Sequence, residues 1–120
     1  MEAIDIAAAR RRWEVGGYLI LPGFYSQSEI DDVAGLSDDA WARLSDRIVV
    51  DDLVTNRRSL MREVGAEARR THSFKINDLY LEYPAVRSLA LGHRLGPVLQ
   101  ELLRDVPVLC NSLNFDRGSQ

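Results

Sequence analysis

The spacing of apolar positions along the chain changes several times, and each change marks an expected element. Between Ile4 and Val15, Ala7, Ala8 and Ala9 favour a helix, and Ile4, Ala8 and the Arg11/Arg12 pair recur at helical spacing. Gly16-Gly17 predicts its end, because glycine accepts the left-handed conformation that closes helices. Tyr18-Leu-Ile-Leu21 reads as a short strand closed by Pro22-Gly23. Ser26 with Glu29 three residues later is a capping box that opens a second helix, and Asp31 and Asp32 suit its positive end. Ile30, Val33, Ala34, Trp41 and Leu44 share one face of that helix, with a break possible at Gly35.

The second half is less regular. Arg47-Ile-Val-Val50 is a candidate strand, and the arginine-rich stretch from Thr55 to Arg70 reads as a loop or weak helix. Ser73 to Tyr80 alternates imperfectly and reads as extended. Pro84 fits a first helical turn, with Val86, Leu89 and Ala90 following at helical spacing until Gly92 breaks the helix. Gly96-Pro97 opens another helix, whose apolar face is Leu95, Val98, Leu99, Leu102 and Leu103. Val106 to Phe115 is a final strand. The strands are too few for an independent sandwich and alternate too irregularly with helices for a parallel sheet, which leaves an α+β fold.

Composition narrows the classes. The chain has 120 residues, enough for one small domain, with 46% apolar and 28% charged residues. Its net charge of −3 argues against general nucleic-acid binding, which rests on a basic excess. No apolar run approaches the ~18 residues of a membrane span. Arg10-Arg11-Arg12 follows the short apolar stretch Ile4–Ala9, the reverse of a signal peptide. The single cysteine, Cys110, excludes an internal disulfide and suits a reducing compartment, so a cytoplasmic location is expected.

Four stretches resemble the phytanoyl-CoA dioxygenase family of iron(II) and 2-oxoglutarate oxygenases. Gly17-Tyr-Leu-Ile-Leu-Pro-Gly-Phe24 followed by Ser26-Gln-Ser-Glu-Ile30 is similar to its opening strand and acidic helix. Ser73-Phe-Lys75 resembles a lysine-bearing strand. Leu79 to Leu103, with Tyr83-Pro84 and His93-Arg94-Leu95, is similar to two helices that brace the barrel. Leu109-Cys-Asn-Ser-Leu-Asn-Phe115 resembles the first core strand. The resemblance implies a single domain over residues 1–120, the N-terminal helical and strand part of a double-stranded β-helix (jelly-roll, cupin-like) oxygenase fold, with its barrel incomplete and its first core strand at 106–115.

It also implies a site. On a strand, Cys110, Ser112 and Asn114 share one face, and Leu109, Leu113 and Phe115 the other. By resemblance, Ser112 and Asn114 face 2-oxoglutarate, Cys110 lies nearer the substrate, and Lys75, the only lysine, reaches the cosubstrate. Without the resemblance, Lys75 reads as a surface lysine and the final strand as half-solvated. The family's iron needs two histidines and a carboxylate, beginning with His-x-Asp. His72 and His93 have Phe74 and Leu95 two places on, so neither is expected to bind metal, and no metal ligand is assigned.

Arg57, Arg58, Arg62, Arg69 and Arg70 are candidates for gripping an anionic substrate such as an acyl-CoA, although a solvated face is the simpler reading. The doublets Asp38-Asp39 and Asp51-Asp52 are expected to be solvated. The intact protein is therefore expected to be an oxygenase that hydroxylates a small molecule with iron(II), 2-oxoglutarate and O₂. The 120 residues alone are expected to bind no cofactor, to be inactive and to self-associate through 106–115. A non-catalytic binding module that adds a partner strand is the alternative.

Overall fold

The structure is a computed structural model that describes residues 4–92 and 94–118. In chain order it contains helix α1 (Ile6–Gly16), helix α2 (Gln27–Arg43), strands β1 (Val49–Asp52) and β2 (Arg57–Leu60), helix α3 (Ala66–Thr71), strand β3 (Phe74–Asn77), helices α4 (Pro84–Leu91) and α5 (Leu95–Leu103), and strand β4 (Leu113–Phe115). The strands form one antiparallel sheet in the order β2-β1-β3-β4, which does not close. The fold is thus mixed helix and antiparallel strand.

The helix ends follow local chemistry. Asp5 caps α1 by accepting the Ala8 N–H at 3.0 Å, and Gly17 ends it at φ 75°. Ser26 and Glu29 form the expected reciprocal cap of α2, at 3.2 and 2.8 Å. That helix runs through Gly35 without a break. Its buried face differs from the expected one. Ser37 and Ala40 are buried and Leu36 and Trp41 pack on the core, while Ile30 and Leu44 are exposed.

The strands depart further from expectation. Tyr18–Leu21 joins no strand in the sheet, and Tyr18 and Ile20 are each 67% exposed. β1 begins at Val49 rather than Arg47, because the Ser45 hydroxyl accepts the N–H groups of Arg47 and Ile48 and holds that segment in a bend. The Thr55–Arg70 stretch holds a strand and a short helix. Asp52 accepts the N–H groups of Val54 and Thr55 at 2.8 and 3.1 Å, and Asn56 takes φ 57°, which reverses the chain into β2. Of the expected strand 106–115, only Leu113–Phe115 pairs with β3.

One face of the sheet carries the core. Val50, Phe74 and Ile76 point to it, with Met61, Ile48, Ala40, Leu79 and Tyr83. Trp41 meets Phe74 edge-on at 5.1 Å. A polar network closes one end. Ser45, itself buried, donates to Glu82 at 2.6 Å, Arg43 donates to the Tyr83 hydroxyl at 2.6 Å, and that hydroxyl donates to Asp39 at 2.7 Å. Helices α1 and α5 pack together, tied by Arg10–Glu101 at 3.0 Å, and α5 packs on α4. This layer lies to the side of the sheet, so the radius of gyration is 16.8 Å. A compact chain of this length has about 13.6 Å. Much apolar surface is exposed in consequence, Val106 at 71% and Val108 at 77% included. No helix among the described residues is long and apolar enough to cross a membrane.

Two substitutions test this packing. Phe74→Ala should cost about 3–5 kcal/mol by emptying the centre of the core. Gly92→Ala should cost about 1–3 kcal/mol, because a Cβ there clashes with the Ser88 carbonyl oxygen. Urea unfolding of each variant measures both.

Candidate functional site

β3 separates the two candidate regions. Its pleat sends Phe74 and Ile76 into the core and Lys75 and Asn77 to the outer face. Directly opposite partners share a face, so Arg58, Asp51, Lys75 and Phe115 form one row across all four strands. Leu60, Val49, Asn77 and Leu113 form the next.

Asp51 is the hub of the outer face. Arg58 grips it with a fork at 2.7 and 3.1 Å, Lys75 Nζ lies 3.1 Å away, and Asn77 donates to it at 3.0 Å. The Arg58 hydrogen bond, with those of Asn77 and Lys75, outweighs burial and holds the Asp51 carboxyl far below the ordinary carboxylate range. Two cations around one carboxylate leave an excess of positive charge. The Arg58 side chain is 66% exposed, so part of that charge is open to an incoming anion.

Asp52, the next residue, faces the other way. His72 Nδ1 stands 2.7 Å from its Oδ2, and the imidazole stacks over Phe74 with the rings 6.4 Å apart. A carboxylate only accepts, so the ring carries its proton on Nδ1. Burial pushes the Asp52 carboxyl up, but His72 and the N–H groups of Val54 and Thr55 overcome this and hold it at about 2. The Asp51-Asp52 doublet, read from sequence as solvated, is therefore bonded on both faces of the sheet. The signal for it was the pleat itself, which sends neighbouring acids on a strand to opposite sides, each within reach of different cations.

The expected site residues are not brought together. Lys75 is on the outer face. Asn114 pairs with Ile76 and so faces the helix side, where it lines a hollow with Ser37, Trp41 and Arg69. Ser112 lies beyond the ladder, with its N–H bonded to Asp78 Oδ1 at 2.9 Å and its carbonyl accepting the Asp78 N–H at 2.8 Å. Cys110 is exposed, and its carbonyl accepts the Tyr80 hydroxyl at 3.2 Å. The pairing of β4 with β3 puts Lys75 and Asn114 on opposite faces of the sheet.

Of the arginine candidates, Arg58 joins Asp51, Arg70 pairs with Glu67 at 2.8 Å, and Arg69 lines the hollow beside Asn114. No group of three or more His, Cys, Asp or Glu side chains among the described residues could hold a metal ion. His72 is engaged with Asp52, and His93 lies outside the described residues. No family model matches the chain, and neither does any curated protein or solved structure.

Acid unfolding tests the two aspartates. Both folded values lie below the unfolded ~3.9, so their stabilisation is complete above that value and is lost as pH falls. For Asp52 the loss runs from about pH 4 down to about 2. Urea midpoints taken at pH 5, 3 and 2 should fall more steeply for the wild type than for Asp52→Asn. Equal slopes would mean that the His72 and turn hydrogen bonds do not favour the charged form.

Proposed function

We propose that this chain supplies a wall of the cosubstrate site of an iron(II)/2-oxoglutarate oxygenase of the phytanoyl-CoA dioxygenase type. The position of Lys75 carries the reading. The one lysine, which the resemblance assigns to the cosubstrate, stands on the outer face of an open antiparallel sheet, one strand in from β4. Asp51 holds its ammonium in place, and Arg58 adds a second set of donors within the same row. A carboxylate suits this excess of positive charge, since a guanidinium presents two parallel donors and an ammonium a compact charge.

The described residues do not fit an iron ion, so in this reading the metal ligands are supplied from outside them. The residues here have a smaller task. Lys75 and Arg58 attract and orient an anion, and Asn77 and Asp51 keep the two cations apart and aligned. The substrate is a small molecule, and nothing in the geometry selects among such molecules.

The 120-residue chain can be titrated with 2-oxoglutarate and followed by amide NMR. The cation pair that Asp51 holds in place changes the expectation that the chain alone binds no cofactor: saturable shifts at Lys75, Asn77 and Phe115 are expected, and Lys75→Ala should weaken binding by about tenfold, or ~1.4 kcal/mol. Shifts that never saturate, or that survive Lys75→Ala unchanged, overturn the reading. With iron(II), 2-oxoglutarate and O₂ the chain alone should form no succinate.

One observation favours a second reading, a module that adds a strand from another chain. β4 is the outer strand of the sheet, Leu113 is 52% exposed, and Leu113–Phe115 contains neither proline nor charge to block pairing. On this reading the wild type sediments as a concentration-dependent oligomer and Leu113→Lys as a monomer. A monomeric wild type at all concentrations removes self-pairing through β4.

A further inference from the structure

We propose that the hollow between α2, α3 and β4 is a second anion site, in which Arg69 binds an oxyanion, a carboxylate or phosphate group. The hollow measures about 590 Å³ and lies at the helix side of the sheet, away from Lys75. Arg69 enters it from α3, Ser37 and Trp41 from α2, and Asn114 from β4.

The unpaired donor on Arg69 points to the ligand. Its Nε is buried and has no hydrogen-bond partner among the described residues. Among the described residues its guanidinium makes no ion pair. The other cation lining the hollow, Arg117, donates to the carbonyls of Arg69 and Arg70, the latter at 2.7 Å, and Arg70 pairs with Glu67. A guanidinium cannot shed its proton at any ordinary pH, so burial of an unpaired N–H keeps its full desolvation cost until an acceptor arrives. Buried polar atoms are paired in the great majority of cases, and an exception beside an open hollow is where an acceptor from outside fits.

The lining suits an oxyanion in particular. The planar fork of Arg69 matches the two oxygens of a carboxylate or phosphate. The Asn114 amide and the buried Ser37 hydroxyl add neutral donors, and Trp41 offers a flat apolar wall. Two carboxylates also line the hollow. Asp116 is occupied, since its Oδ1 accepts the Phe74 N–H at 2.9 Å. Asp38 is exposed at the rim, where water and salt screen its charge. The expected ligand therefore carries a carboxylate or phosphate on a short planar or apolar body. The site is independent of the Lys75 face and of the oxygenase reading, because the sheet stands between the two.

The Nε–H resonance of Arg69 reports directly on the atom concerned. The full chain is titrated with inorganic phosphate and, separately, with benzoate, while the Arg69 Nε–H and Trp41 indole N–H signals are followed. A saturable shift of both signals with either probe is expected, and the probe that saturates at lower concentration names the oxyanion. Arg69→Gln should weaken that binding by roughly tenfold or more, and Lys75→Ala should leave it unchanged. Shifts that rise linearly with both probes mean that the hollow takes only water and overturn the proposal. So does saturation that survives Arg69→Gln or disappears in Lys75→Ala. The wild-type titration decides the matter even if the arginine variant does not fold.

Discussion

The pleat of β3 is the constraint on which the rest of the structure depends. Phe74 and Ile76 fill the core, and the same geometry drives Lys75 and Asn77 to the opposite side. β3 pairs on both sides, with β1 and β4, so its alternation is imposed on its neighbours. A slip of one residue would bury a lysine and expose a phenylalanine, which makes the register costly to change. The Asp51 hub and the turn of Asp52 towards His72 both follow from that register.

The two faces then do different electrostatic work. On the outer face a half-buried carboxylate collects two cations and an amide, so the charges are fixed in place before any ligand arrives. Such preorganisation lowers what an incoming anion must spend on ordering side chains. On the helix side Arg69 holds a buried Nε–H with no acceptor among the described residues, which is the opposite condition: in the proposed site that donor waits for a ligand. Neither arrangement includes a metal position among the described residues. The oxygenase reading therefore rests on the placement of Lys75 and on the order of the resembling stretches, and the anion site at Arg69 stands apart from it.

The open architecture has a physical cost that points outward. The α1/α5 layer packs beside the sheet, and Val106, Val108 and Leu113 remain in water. Apolar area of this kind is stabilising only when covered. Tyr18–Leu21 shows the same shortage from another direction. It has the residues of a strand, yet among the described residues no strand pairs with it to accept its backbone hydrogen bonds.

Local chemistry was legible from the sequence. The α2 capping box, the left-handed Gly17, Pro84 in the first turn of α4 and the stop at Gly92 each depend on residues within about one turn of each other. The mixed helix and strand class followed from the same signals. What the sequence could not decide is which residues far apart meet. The face of Asn114 depends on its pairing with Ile76, 38 places earlier by their numbers, and the hub at Asp51 needs three strands in register. The β2 strand and the short α3 helix were hidden because their arginines mask a pattern that only the hairpin turn at Asp52–Asn56 reveals. Hydrogen bonds within a helix close over four residues and are written locally. A sheet closes over whole segments, so its faces, and the sites on them, exist only once the chain has folded.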